Sequence, residues 1–146
     1  MTWWAPRYLD DDASPEDQIA LASAVDLCVF FLQTSSGEGS DRDNLMLWQD
    51  GNVHAVAPHC ARSVAVVSAP GAVLMPWADD VDAVLLNFMP GVASAFATMD
   101  ILVGDAEPTG RLPITMPMVE NQEGMTEKQF PGVDGNMNST YTEKWG

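Results

Sequence analysis

The chain has 146 residues, 47% of them apolar, and 21 acidic residues against six basic ones give it a formal charge of −15. That length suits one domain with an ordinary core, so no disulfide framework is required. The acidity argues against nucleic acid or an anionic membrane surface as a partner, since both reward clustered Lys and Arg, and it fits a neutral or cationic ligand. No run approaches the ~20 apolar residues of a membrane span, and Met1-Thr2-Trp3-Trp4-Ala5-Pro6-Arg7 lacks the apolar core of a signal peptide.

Residues 1–13, ending near Asp10-Asp11-Asp12, read as a solvated lead-in. Ser14 then offers a helix N-cap, Pro15 suits the first helical position, and Glu16 and Asp17 place negative charge on the helix N-terminus. Ile19, Ala20, Ala22 and Ala24 carry that helix to about Val25. Leu27-Cys28-Val29-Phe30-Phe31-Leu32 is a continuous apolar run of strand length, the pattern of a strand buried on both faces of a parallel sheet. A polar loop over residues 34–44 leads to a segment over 50–60 with helical character, limited by Pro58. Ser63-Val64-Ala65-Val66-Val67 and Ala83-Val84-Leu85-Leu86-Asn87-Phe88 are two further short strands. Residues 92–103 form a helix closed by Gly104, and Ile114-Thr115-Met116 between two prolines predicts an edge strand.

Alternating strands and helices imply an α/β fold, a layered sandwich with a mainly parallel sheet flanked by helices. It occupies residues 14–119, and residues 120–146, polar and rich in turn formers, are expected to be an irregular C-terminal arm. Cys28 inside its apolar run reads as a small core residue and Cys60 lies near a helix end; pairing between them stays open, because sequence supplies no distance. His54 and His59, flanked by Ala, Val and Pro, have no further ligand type at metal spacing, so neither a metal nor a cofactor is expected.

The segment richest in chemistry follows the first strand: Ser35-Ser36-Gly37-Glu38-Gly39-Ser40-Asp41-Arg42-Asp43-Asn44-Leu45. Ligands of open α/β sheets bind beyond the carboxyl ends of strands, which is where this loop stands. Glycines on both sides leave the Glu38 carboxylate projecting from a sharp turn, suited to an acid that reaches a substrate oxygen. Arg42 among Asp41 and Asp43 can hold the loop by paired hydrogen bonds. A plain surface loop is the simpler reading of these residues taken alone. A phosphate cradle is opposed by the missing Lys and the three carboxylates. Trp48 and Trp77 offer aromatic faces on which a sugar ring can stack, or they are ordinary packing residues.

Ser36-Gly37-Glu38-Gly39 followed by Asp41-Arg42-Asp43-Asn44-Leu45-Met46-Leu47-Trp48 resembles the second domain of fungal-type family 3 β-glucosidases. Gly71-Ala72-Val73-Leu74-Met75-Pro76-Trp77, Met89-Pro90-Gly91, Gly104-Asp105, Pro108-Thr109-Gly110-Arg111-Leu112-Pro113 and Phe130-Pro131-Gly132 resemble further blocks of that family, in family order. After the Pro-Gly turn the family usually has Gln-Glu-x-Gly, where this chain has Val92-Ala93-Ser94-Ala95.

The resemblance implies part of a retaining β-glucosidase, in which Glu38 is the catalytic acid/base and a (β/α)8-type barrel domain supplies an aspartate nucleophile not recognisable in this chain. It implies a β-glucoside or oligosaccharide substrate, touched by Trp48, Arg42 and Asp41, and a chain inactive in isolation. A non-catalytic truncated paralogue that binds sugar or a partner barrel is the alternative. The family is usually extracellular, which sits beside the missing signal peptide and leaves localisation open; Asn138-Ser139-Thr140 is an N-glycosylation sequon that matters only if the chain is secreted.

Overall fold

The computed structural model describes residues 13–40, 42–122, 124–126 and 129. Ser14, extended at φ −61° and ψ 150°, caps helix α1 (Pro15–Ala22) by accepting from the Asp17 N–H at 3.2 Å. The helix stops short of Val25 at Ser23: the Ser23 N–H still reaches the Ile19 carbonyl, but the Ala24 N–H turns to the Leu21 carbonyl, a tightened last turn that ends the ladder. Strand β1 (Cys28–Gln33) follows, then helix α2 (Asp50–Val56), which tightens into a 3-10 turn over Ala57–His59 around Pro58. Strand β2 (Ser63–Ser68), a 3-10 turn (Ala78–Asp80), strand β3 (Ala83–Asn87) and helix α3 (Ser94–Leu102) complete the order.

Among the described residues the sheet has three parallel strands in the order β1-β2-β3, with Cys28 opposite Ser63 and Val64 opposite Ala83. The strand period of two sorts their side chains onto two faces. Phe30, Leu32, Ala65, Val67, Val84 and Leu86 share one face and meet Val53 of α2 and Ala57 of the 3-10 turn after it, together with Leu47, Val73 and Trp77 from the connections. On the opposite face the Asn87 amide donates to the Thr98 hydroxyl at 2.8 Å, which ties α3 to β3. That helix ends in a Schellman motif: Gly104 takes φ 83°, its N–H reaches the Ile101 carbonyl, and the Asp105 N–H reaches that of Asp100.

Three expectations need correction. β1 is not buried on both faces: it is an edge strand, Leu32 is buried, and Phe31 is 65% exposed on the face that the described residues leave open. Ile114-Thr115-Met116 is not a strand, because Pro113 and Pro117 lack the N–H groups a ladder needs; the segment is held by the Pro117 carbonyl, which accepts from the Met75 N–H at 3.0 Å. Cys28 is not a simple core cysteine but is disulfide-bonded to Cys60. The parallel pairing of β1 with β2 brings the start of β1 beside the turn that precedes β2, so the two Cα atoms lie 6.0 Å apart. The lead-in over 1–12, most of the expected arm over 120–146, Asp41 and Asn138 lie outside the described residues. Among the described residues no helix is long and apolar enough to cross a membrane.

Candidate functional site

The chain leaves β1 at Gln33 and does not return to regular structure until Asp50, and this loop lies beyond the carboxyl ends of the strands. The Thr34 N–H still bonds the Ser68 carbonyl at 3.1 Å, extending the β1-β2 pairing one step. Residues 37 to 40 then make a tight turn, with the Ser40 N–H on the Gly37 carbonyl and Gly39 at φ 75°, a left-handed value that glycine adopts without strain. Glu38 sits at the tip of that turn. It is exposed, and no group among the described residues hydrogen-bonds its carboxylate.

The far half of the loop is pinned to the connection between β2 and β3. The Arg42 guanidinium donates through Nη2 to the Ala72 carbonyl at 3.0 Å, and the Leu74 N–H donates to the Leu45 carbonyl at 2.8 Å. Asp50, at the first position of α2, accepts from the Leu47 N–H and from the indole N–H of Trp77. Burial pushes the Asp50 carboxyl above its ordinary value, against the lowering influence of the Trp77 and Leu47 hydrogen bonds and of the nearby His54. His54 in turn bonds Asp80 through Nδ1, joining α2 to the second 3-10 turn.

These ties shape an open cleft of about 700 Å³, with Ser36, Gly37, Ser40, Arg42, Asn44 and Trp48 among its walls. Gly37 and Ser40 line it on either side of Glu38, which places Glu38 on the rim rather than in the wall. Trp48 is 81% exposed, and its indole N–H is fixed on the Gln33 carbonyl at 3.0 Å, so the ring is held out at the cleft by a single polar contact. The other end of the Arg42 guanidinium, Nη1, is buried and has no partner among the described residues. Arg42 therefore does not pair with Asp43, as its setting among carboxylates had suggested, but with a backbone carbonyl.

Of the residues expected at a site, Glu38, Arg42 and Trp48 are brought to this one cleft. Trp77 is not: it is fully buried in the core. Asp50 was legible only as the first charge of a helix; its role as the buried acceptor for Trp77 depends on a contact 27 positions away. Gln33 and Thr34, which wall the cleft at the strand end, carried no sequence signal beyond their position.

Residues 7–146 match the model of the glycosyl hydrolase family 3 C-terminal domain. The chain belongs to that family. It is similar to the probable beta-glucosidase E of Emericella nidulans, 41% identical in an alignment 123 positions long that covers 75% of this chain and 12% of that protein. Among solved structures it resembles DesR, a beta-glucosidase from Streptomyces venezuelae in complex with D-glucose, at a TM-score of 0.73 and 35% identity over 82% of this chain and 16% of that one. A glycoside hydrolase family 3 beta-glucosidase from Neurospora crassa gives a TM-score of 0.71 and 31% identity over 86% of this chain and 16% of its own. The three-stranded parallel sheet with its helices is consistent with that family's domain, and the chain spans 12% of the first of these relatives.

Proposed function

We propose that this domain contributes the acid/base half of a retaining β-glucosidase, with Glu38 as proton donor and a barrel domain supplying the nucleophile. The observation that carries the reading is an exposed carboxylate on a glycine turn, at the rim of a cleft beyond the ends of parallel strands, in a chain whose relatives are named beta-glucosidases. Protonated Glu38 gives its proton to the departing glycosidic oxygen while an aspartate on the opposite side attacks the anomeric carbon. The anionic Glu38 then takes a proton from the water that releases the sugar. In retaining enzymes the two carboxyl groups stand ~5–5.5 Å apart, so Glu38 needs its counterpart on a facing surface, and a carboxylate held on a rim is placed to meet one.

The cleft supplies substrate contacts consistent with this role. The exposed Trp48 indole is a stacking face for a pyranose ring, and the Arg42 side chain forms part of the wall beside it. Asp41, next to Arg42, completes the set as an acceptor. The unit that presents them is the span 14–119, and the substrate class is a β-linked glucoside.

A general acid contributes ~10²–10⁴-fold, which falls short of glycosidase rates without a positioned nucleophile. The purified chain is therefore expected to release nitrophenol from nitrophenyl β-glucoside at no more than a background rate. Enzyme-like turnover that Glu38→Gln abolishes would overturn the two-domain reading. A non-catalytic, sugar-binding role is the second reading, and it is favoured by a cleft whose walls do not include Glu38.

A further inference from the structure

We propose that α3 is a self-association surface, at which two copies of this chain pair antiparallel about a two-fold axis. Thr98 is buried on the side of α3 that meets β3, with Ser94, Ile101 and Leu102 half-buried around it. At 3.6 residues per turn, Val92, Phe96, Met99 and Val103 fall within about 60° of one another on the other side. Val92 and Val103 flank the helix proper and extend its strip. The Ser94 N–H closes a turn onto the Gly91 carbonyl at 3.3 Å, and the Val103 N–H bonds the Met99 carbonyl at 2.9 Å. All four side chains are exposed, Phe96 at 77%, and Val92 stands where the family usually has Gln. An apolar strip turned to solvent along a helix marks a surface that meets another one.

Spacing selects a second copy as the occupant. The steps along the strip are four, three and four residues, so it reads the same in either direction. A two-fold axis midway between Phe96 and Met99 sets each Phe96 against the partner's Met99 and each Val92 against the partner's Val103. A thioether beside an aromatic ring is a favourable contact, and the two valines match in size. Isologous pairing demands this self-complementarity, and steps of three and four are those of helices that pack side by side at about 20°. Charge agrees with the antiparallel direction. Ala93 gives α3 no side-chain cap and its first turn holds no acidic residue, so the N-terminal N–H groups keep their partial positive charge. The exposed Asp100 comes to lie beside that N-terminus on the partner, whereas a parallel pair leaves both N-termini without an anion. Four side chains on each copy amount to on the order of 500 Å² of apolar surface, which makes a reversible interface of the small class, below about 1,200 Å² in total. Because β3 leads into α3 at the carboxyl end of the sheet, the antiparallel pair holds its two clefts at opposite ends, and the pairing is independent of the role of Glu38.

The test is sedimentation of the full chain from about 10 μM to about 1 mM, in ~0.3 M NaCl to screen the repulsion between two copies of charge −15. The apparent mass is expected to rise with concentration from one copy to two and no further, since a two-fold contact closes on itself. Phe96→Glu should weaken the pairing at least about tenfold. Phe96 is exposed, so an unchanged amide NMR spectrum of the dilute variant verifies its fold. Ala93→Asp supplies the missing cap to α3 and also faces the partner's Asp100, so it should weaken pairing without lowering Tm. A chain that stays monomeric across the range overturns the proposal and leaves the strip to another segment or another protein. A pair that survives Phe96→Glu overturns it as well, and a pair that Ala93→Asp leaves unchanged or tightens overturns the antiparallel direction.

Discussion

Trp48 and Asp50 lie two residues apart, one 81% exposed at the cleft and the other 7% exposed beneath it. Removing the Trp48 indole should therefore cost little stability: one hydrogen bond to the Gln33 carbonyl, worth about 0.5–1.5 kcal/mol, and almost no buried area. Calorimetry on Trp48→Ala is expected to show loss of sugar binding with only a small fall in Tm. A large fall in Tm with binding retained would mean that Trp48 is a packing residue.

Asp50 carries a pH dependence of definite sign. Its folded carboxyl is raised above the ordinary value, so across the window between the two values the folded chain holds more proton than the unfolded one. Stability from this group thus falls as pH rises through that window and recovers on acidification. Asp50→Asn removes the titration and turns one acceptor toward the Leu47 N–H into a donor, which costs about 1–3 kcal/mol. Denaturant unfolding from neutral pH into the carboxylate range should show wild type gaining on Asp50→Asn as pH falls; a constant difference, or the reverse trend, would contradict this. Glu38 was singled out by its flanking glycines together with the family resemblance, whereas Asp50 carried no such signal, because its partner is distant in sequence and a helix-start Asp is ordinarily solvated.

At the scale of elements, strands and helices were legible wherever local chemistry decided them. Ser14 and Pro15 set the start of α1, Gly104 closed α3, and the three apolar runs became β1, β2 and β3. Failures came where context decides. The run 27–32 cannot reveal that β1 is an edge strand, and an apolar triplet between prolines cannot reveal that its N–H-poor flanks leave it outside the ladder.

The Cys28–Cys60 link is of the same kind, since only the β1-β2 register brings the two ends together. It spans 32 positions, and that span contains the entire candidate loop and α2. By the chain-entropy relation a loop of that size is stabilised by about 3.7 kcal/mol. Thiol reductant should lower the unfolding midpoint by a corresponding amount, and Cys28→Ser should reproduce the loss. A midpoint unmoved by reductant would show that the link does not constrain the fold.

Over the whole molecule, one face of the sheet is filled by α2, Trp77 and the connections. Among the described residues the other face holds α3 through the Asn87–Thr98 hydrogen bond and leaves Phe31, Phe96 and Met99 exposed. A domain that presents an exposed carboxylate on a loop turn and leaves apolar side chains uncovered is consistent with the proposed pairing against a further surface. The motif blocks in family order made the family legible from sequence, because short runs of Gly, Pro, Arg and Trp fix turns and contacts that substitution disturbs. The cleft beyond β1 was not legible as a whole, since its walls bring Gln33 at the strand end together with Asn44 and Trp48, which no local pattern joins.

The most direct measurement replaces the matching segment of the Streptomyces venezuelae enzyme by this chain and compares Glu38 with Glu38→Gln on two substrates. Cellobiose has a poor leaving group that needs a proton, whereas nitrophenol leaves without one. If Glu38 is the proton donor, kcat/KM for cellobiose should fall ~10²–10⁴-fold while kcat/KM for the nitrophenyl glucoside, which reports only the step in which the aglycone leaves, falls far less. Equal loss on both substrates, or no loss on cellobiose, would contradict the assignment.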